Sequence, residues 1–264
     1  MDKILQCKMI GGGFQHQECV NINNYKSKNF IWTKNNSDIE MFIDNSIYNN
    51  LGKSPDKKYA WIFESEEIFN IDFFVEEFEL LSCSYTKIFT HNKKLLDKGL
   101  NFCFIPANSF WIETPFIHEK NKLISMVASN KNLTTGHRFR NQFIRNNPNK
   151  FDLFGFGYKP IQKKEIALNH YMFSIVIENS FYDNYFTEKI LDCFATGTIP
   201  IYKGCDNINE FFDENGIIKL TDDFDFKSLN KELYNSKIDA IKKNFNLVQN
   251  YKILEDIIYQ KITL

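Results

Sequence analysis

No stretch of this 264-residue sequence approaches the ~18–20 consecutive apolar residues that a membrane-spanning helix needs. The opening MDKILQCKMIGGG has too short an apolar run, interrupted by Lys8, to read as a secretory signal. An excess of either charge is also missing. Lys and Arg total 32 against 33 Asp and Glu, a formal net charge of −1, which argues against nucleic acid or an anionic membrane as the main partner. The basic cluster RFRNQFIR at 138–145 suffices for one small phosphate group. Paired cysteines are absent as well: Cys7, Cys19, Cys83, Cys103, Cys193 and Cys205 stand singly, with no C-x-x-C spacing and no histidine in a ligand pattern. Zinc is therefore not expected, and the thiols read as free cysteines of a reducing compartment. There is no internal repeat and no low-complexity segment. These absences leave the expectation of a soluble, cytoplasmic globular protein without a metal.

What is present is aromatic and aliphatic core material. Aromatic residues make up 16% of the chain, with 27 Phe. The length exceeds what one hydrophobic core usually serves, so two smaller lobes fit it as well as one large domain. Short β-like runs alternate with helical ones, which indicates parallel α/β layers. In the first part KILQCKMIG, NFIWT, YAWIFES, YTKIFTH and NFCFIP read as strands. IDFFVEEFELLS and NKKLLDKG read as helices, the second stopped by Gly99. The segment IETPFIHEKNK, around Pro115, reads as a linker. After it KLISMVAS, FDLFGFG, YMFSIVI, TIPIYKG and GIIKLT read as strands, and GHRFRNQFIRNN and YFTEKILDCFATG as helices. Phe186, Ile190 and Phe194 form one apolar stripe on the latter. Residues 228–262 read as amphipathic helix with a break near Asn235-Ser236. The expected domains are 1–117 and 121–264, the second carrying the terminal helices.

Chemistry concentrates in IENSFYDNYFTEKILDCFATGTIPIYKG. A buried strand delivers Glu178-Asn179-Ser180, then a short loop gives Tyr185-Phe186-Thr187-Glu188-Lys189 at the start of a helix. Ligands in parallel sheets bind outside the carboxyl ends of the strands, where this loop falls. Lys189 in a helix's first turn, with that turn's free N–H groups, suits a diphosphate. Arg140, and with it Arg138, lies on a helix following another strand, and a guanidinium offers a planar fork for two phosphate oxygens. Glu188 is poor company for phosphate but can accept two hydrogen bonds from ribose hydroxyls. Each of these has a plainer reading. Glu188 would favour a helix N-terminus, Lys189 and Arg140 would serve as surface charges, and Glu178 would accept N–H bonds from the loop after it.

In order and spacing, this segment resembles the donor-binding region of the α1,3-fucosyltransferases, the family-ten glycosyltransferases. Glu178-Asn179-Ser180, Tyr185-x-Thr187-Glu188-Lys189, Gly197, Pro200 and Gly204 carry the resemblance. Upstream, VASNKNLTTGHRFRNQFI is similar to the family's Ser-Asn-x-Asn stretch, here beginning Ser129-Asn130, followed by an Arg on a helix. The resemblance covers roughly residues 125–215. It implies two Rossmann-like domains facing across a cleft, the GT-B architecture, and inverting, metal-independent transfer of L-fucose from GDP-fucose to a glycan hydroxyl. It implies no cofactor beyond the nucleotide-sugar donor and a glycan acceptor as the other partner. It also implies Arg140 and Lys189 on the diphosphate, Glu188 on the ribose, Tyr185 near the phosphates, and a donor pocket completed by Glu178, Asn179, Ser129 and Asn130. Another nucleotide sugar, a UDP-sugar or GDP-mannose, remains compatible, as does a binding protein without turnover.

Inverting transfer needs a base for the acceptor hydroxyl. Glu64, at the end of a strand in YAWIFESEEIF, is the candidate, and Phe63-Glu64-Ser65 resembles the family's Phe-Glu-Ser-Pro motif. Glu66 stands where that motif has Pro, so Glu67 is the competing base, and Glu66 and Glu67 also read as acids opening a helix at Ser65. Gly11-Gly12-Gly13 reads as a turn or a close approach to a ligand, and His16 and His91 as structural or acceptor-facing. The Asp-x-Asp of DDFDF at 222–226 reads as a helix cap.

Overall fold

The computed structural model describes residues 4–11 and 25–264, which fall into two compact units. Gly12, Gly13 and His16 lie outside the described residues. The first unit holds Met1–Ser109 and Lys252–Leu264, the second Phe110–Tyr251.

The first unit is built on a six-stranded sheet of order β2-β1-β3-β4-β5-β6, every pairing parallel. The strands are β1 (Leu5–Ile10), β2 (Phe30–Thr33), β3 (Ile39–Ile43), β4 (Lys58–Ile62), β5 (Lys87–Thr90) and β6 (Phe102–Phe104). All five strands expected from the sequence of this part are present. β3 joins them, a five-residue run that reads as a strand only once its neighbours are in place. The expected helix over IDFFVEEFELLS is two, α1 (Asp72–Glu76) and α2 (Phe78–Ser84), parted at Glu77 with φ −98° and ψ 38°. The short α3 (Lys93–Leu96) is capped by the Asn92 side chain, which accepts from Leu95 N at 3.3 Å. One apolar cluster gathers Ile62, Ile71, Phe74, Leu81 and Ile88. Another gathers Cys7, Met41, Trp61 and Phe89, and Leu254 and Ile258 of α9 (Leu254–Thr263) complete it. This corrects the expected placement of the last helix in the second domain. Its two fully buried aliphatics need an apolar sheet face, and Trp32 Nε1 donates to Glu255 Oε1 at 3.0 Å beside them.

The second unit has a five-stranded parallel sheet of order β11-β10-β9-β7-β8. Its strands are β7 (Lys122–Val127), β8 (Asp152–Phe154), β9 (Tyr171–Ile177), β10 (Ile199–Lys203) and β11 (Ile218–Lys219). Its helices are α4 (Thr135–Asn146), α5 (Glu165–Leu168), α6 (Glu188–Thr196), α7 (Lys231–Ser236) and α8 (Ile238–Val248). Every residue of β9 is buried, as befits a central strand lined on both faces. The expected linker is bound into this unit rather than left free. Phe116 N donates to Ala195 O at 3.0 Å, and Lys120 Nζ reaches four oxygens of Leu168, Asn169, Thr196 and Thr198 at 2.7–3.2 Å. Asp225 caps the short turn Phe226–Ser228 by accepting from Lys227 N at 2.9 Å, the structural role expected of DDFDF.

Candidate functional site

From the middle of the second sheet the chain runs outward in opposite directions, β7 to β8 on one side and β9 to β10 on the other. Such a switch point is where open parallel sheets place ligands, at the carboxyl ends of the strands. Both central strands feed a helix there. Thr134 caps α4 in a box with His137, whose Nδ1 lies 2.7 Å from Thr134 Oγ1. Thr187 caps α6 by accepting from Lys189 N at 3.4 Å.

Glu178 has no exposed surface. Its Oε1 accepts from Thr187 N at 3.0 Å and its Oε2 from Thr187 Oγ1 at 2.7 Å, so the end of β9 holds the start of α6. Both carboxylate oxygens are thus engaged by Thr187, the anchoring contact that was one of the two sequence readings for Glu178. Lys189 is drawn into the same knot, its Nζ 3.4 Å from Glu178 Oε2, 3.1 Å from Thr187 Oγ1 and 3.6 Å from Glu188 Oε1. Two further residues, which the sequence reading missed, extend it. Lys164 Nζ lies 3.6 Å from Glu188 Oε1 and 2.7 Å from Asp192 Oδ2, and 4.1 Å from the Trp111 ring centroid. Asp192 also accepts from Trp111 N. Asp192 was findable, one helical turn after Glu188 on the same face; Lys164 carries no local signal. Burial works to raise the Glu188 carboxyl, but Lys189 and Lys164 hold it down at about 2. Burial dominates at Asp192 and lifts it to about 6 in spite of Lys164.

Arg140 is placed differently. It is 3% exposed, and its guanidinium makes two long bonds from Nη2, to Ser129 O at 3.4 Å and Ser129 Oγ at 3.3 Å. Its Nε has no hydrogen-bond partner, and no ion pair joins it to a carboxylate among the described residues. Burial holds its pKa below the ordinary guanidinium value, opposed by the Tyr158 phenol and by Glu178 and Glu188. A buried cation so poorly answered is costly. Lys120, also buried, is better answered in hydrogen bonds, with four oxygens around its amine, although burial still lowers its pKa to about 7. Arg140 is therefore a ready anion receptor. Arg138, its expected companion, is exposed and donates to Leu133 O and Thr135 Oγ1, each at 3.0 Å, within its own turn.

The remaining predicted residues frame this centre. Tyr185 is buried, its ring 4.8 Å from that of Tyr182, so it shapes the loop from within. Asn184, at φ 65°, pairs reciprocally with Asn207, each contact 2.8 Å. Ser129 is half-buried beneath Arg140, and Asn130 is exposed beside it. Asn179 presents its carbonyl to Gly136 N at 2.9 Å. Gly136 went unnoticed in the sequence although it governs this approach. A Cβ there would lie 1.9 Å from Glu178 O, so only glycine lets α4 start against the end of β9. Gly204 is similar, since its Cβ would meet Tyr202 Oη at 2.4 Å and Glu178 Cγ at 2.6 Å.

In the first unit Glu64 follows β4 by two residues and is half-buried. Asp44 Oδ1 accepts from Phe63 N at 2.8 Å and Glu64 N at 3.3 Å, while His91 Nε2 lies 3.3 Å from Phe63 O. The peptide bearing Glu64 is thus gripped from the ends of β3 and β5. Burial lifts Asp44 to about 6 and pushes His91 down to about 4, leaving the imidazole neutral near pH 7. His91 is buried and structural, and Asp44 is a residue the sequence reading missed. Glu66 is engaged by Asn92 Nδ2 and by Lys94 Nζ at 2.8 Å, and Glu67 is exposed on a turn. The helix expected to open at Ser65 begins at Asp72, because residues 65–70 form a turn closed by Phe69 N to Ser65 O. Gly11, at φ +97°, packs on the Ile43–Ser46 turn, where an added Cβ would lie 2.9 Å from Ser46. Among the described residues no helix is long and apolar enough to cross a membrane, and no group of three or more His, Cys, Asp or Glu is placed to hold a metal ion.

Set against known proteins, residues 117–260 match the family described as "Glycosyltransferase family 10 (fucosyltransferase) C-term". A 52-residue segment is 36% identical to an alpha-(1,4)-fucosyltransferase of Arabidopsis thaliana; it is 20% of this chain and spans only 13% of that protein's length. Among solved structures, an α1,3-fucosyltransferase superposes with a TM-score of 0.57 at 15% identity, covering 99% of this chain and 89% of the other. An α1,3-fucosyltransferase with GDP-fucose gives 0.53 at 17% identity, covering 96% and 82%. At those identities the likeness establishes the fold of two parallel α/β domains.

Proposed function

This chain belongs to glycosyltransferase family 10, the fucosyltransferases, and on that premise we propose that it transfers L-fucose from GDP-fucose to a glycan hydroxyl, with inversion and without a metal. The observation that carries the reading is Arg140, a buried guanidinium without a carboxylate at the switch point of the second sheet. A nucleoside diphosphate would supply the anion it lacks. Its bridging oxygen gains charge as the glycosidic bond breaks, so a preplaced guanidinium binds the transition state more tightly than the ground state. Lys189, in the first turn of α6, adds a second cation once the diphosphate competes for it with Glu178 and Glu188. Glu188, ionised throughout the neutral range, accepts from the ribose hydroxyls. Thr187 and Glu178 position these groups without touching the donor. Glu64 takes the proton of the acceptor hydroxyl as that oxygen attacks the anomeric carbon, and GDP leaves from the opposite face. The similar solved structure with GDP-fucose supports the choice of donor.

The test is calorimetric binding of GDP, GDP-fucose, UDP and a UDP-sugar to wild type, Arg140→Met and Lys189→Ala, followed by turnover of wild type and Glu64→Gln on a glycan panel. Selective GDP binding that collapses in both donor-site variants, with turnover lost in Glu64→Gln, supports the reading. Preference for UDP would discard fucose, and binding without turnover would leave a nucleotide-sugar receptor.

A further inference from the structure

Beyond β8 the chain turns through Gly155-Phe156-Gly157, and both glycines lie in the left-handed region, φ +111° and +86°. The turn is docked backbone to backbone on the segment leaving β7. Ala128 N donates to Phe154 O at 2.9 Å, and Asn130 N to Phe156 O at 3.1 Å. There is no slack in the fit. A Cβ on Gly155 would lie 2.0 Å from Ala128 O, and one on Gly157 2.7 Å from the Asn130 side chain. The segment so gripped carries Ser129, on which Arg140 rests, and Tyr158, the next residue of the turn, acts on the charge of Arg140. Yet the side chain at the apex is left in water. Phe156 is 76% exposed, more than any other phenylalanine among the described residues. Two left-handed glycines cost conformational entropy on folding, and here they fix a ring that contributes nothing to the core.

We propose that Phe156 is the stacking platform for the heteroaromatic base of the donor nucleotide. The proposal rests on the donor-site reading above and adds a residue to it. A nucleotide whose diphosphate meets Arg140 and whose ribose meets Glu188 must still place its flat base against protein, and an exposed ring held rigidly beside the arginine's own support is suited to it. Stacking is tolerant of base identity because every base has a π-face. Phe156 therefore supplies affinity and orientation, and the choice among bases falls to other groups.

The experiment compares GDP with inorganic pyrophosphate by calorimetry on wild type, Phe156→Ala and Phe156→Trp, with thermal melting to check each fold. Removing the ring should weaken GDP by about tenfold to a hundredfold, the range of a lost base–aromatic stack, and leave pyrophosphate unchanged. Phe156→Trp should restore GDP affinity. Phe156→Ala binding GDP as tightly as wild type would overturn the proposal. So would an equal loss for GDP and pyrophosphate, which would mean that the turn merely supports Arg140. Wild type binding neither would sink the donor-site reading and this proposal with it, whereas wild type binding both equally would sink the stacking platform alone.

Discussion

Both parallel sheets use a buried carboxylate just past a strand to grip the backbone of a neighbouring loop, and the two grips differ in what answers the charge. In the first unit Asp44 holds the N–H groups of Phe63 and Glu64, and no cation pairs with it among the described residues. In the second, Glu178 holds Thr187, and Lys189 closes on it at 3.4 Å with Lys164 and Arg140 nearby in the same strand-end cluster. One backbone device is set in opposite electrostatic frames. A frame of carboxylates and hydrogen bonds suits a proton acceptor. A frame that gathers three cations, one of them without a carboxylate partner among the described residues, suits a departing anion.

The largest expected effects come from the cations, and they separate function from stability. Arg140→Met and Lys189→Met should each lower turnover by about a hundredfold or more, the scale of one lost transition-state contact. Their stabilities should diverge. Arg140→Met removes a poorly answered buried charge and should leave urea stability unchanged or about 1 kcal/mol higher. Lys189→Met strands Glu178 and should cost about 1–3 kcal/mol. Lys120→Met, which leaves four oxygens facing a methyl group, should cost at least as much with no direct effect on GDP affinity. Were Arg140→Met to melt like Lys120→Met, the guanidinium would be structural and the contrast between the sheets would collapse.

Next comes the close approach that builds the second frame. Gly136→Ala drives a Cβ into Glu178 O and must part α4 from β9, at about 3 kcal/mol. In the first unit Gly11→Ala meets Ser46 Cβ and Oγ at 2.9 Å and Ile43 O at 3.2 Å, a milder overlap than the 1.9 Å at Gly136, although φ +97° makes it strained as well. Denaturation of the two variants should rank Gly136→Ala as the more damaging. The reverse order would show that the helix start tolerates a shift and that the site is less tightly specified than its contacts imply.

How much of this was legible in the sequence follows from the range of the interactions. Strand runs such as YMFSIVI and the turn Thr187-Glu188-Lys189 announce themselves through periodicity and order, and Gly197 ends α6 where its left-handed φ of 68° requires. Lys164 and Asp44 do not, because each acts on a partner 19 or more residues away and nothing in its own neighbourhood marks it. The last helix was misplaced for a related reason. Its apolar stripe shows that Leu254 and Ile258 need a face, but which sheet supplies it is a tertiary fact. Gly136 was hidden by its setting, since a glycine inside the first turn of a helix ordinarily signals weakness and here permits contact.

The smallest effect is the most diagnostic of the first unit's frame, because two opposed titrations meet on one peptide. Asp44 titrates near 3.8 when unfolded and about 6 when folded, so the folded state holds more protons between those values and stability is lost as pH rises through that window. His91 runs the other way. Its folded value is about 4 against 6.5 unfolded, so stability is lost as pH falls from 6.5 to 4. Glu64 adds to the lift on Asp44 and Glu66 partly offsets the drop at His91, but burial dominates both. The two slopes nearly cancel in the wild type. Asp44→Asn keeps an oxygen for the N–H groups of Phe63 and Glu64, suits the left-handed φ of 45° and abolishes one slope. Relative to wild type, this variant should lose about 1–2 kcal/mol of urea stability between pH 6.5 and 4, and His91→Gln should gain over the same interval. Variant and wild-type curves that stay parallel would mean that water reaches both groups, and that the acid-gripped strand end is no drier than the surface around it.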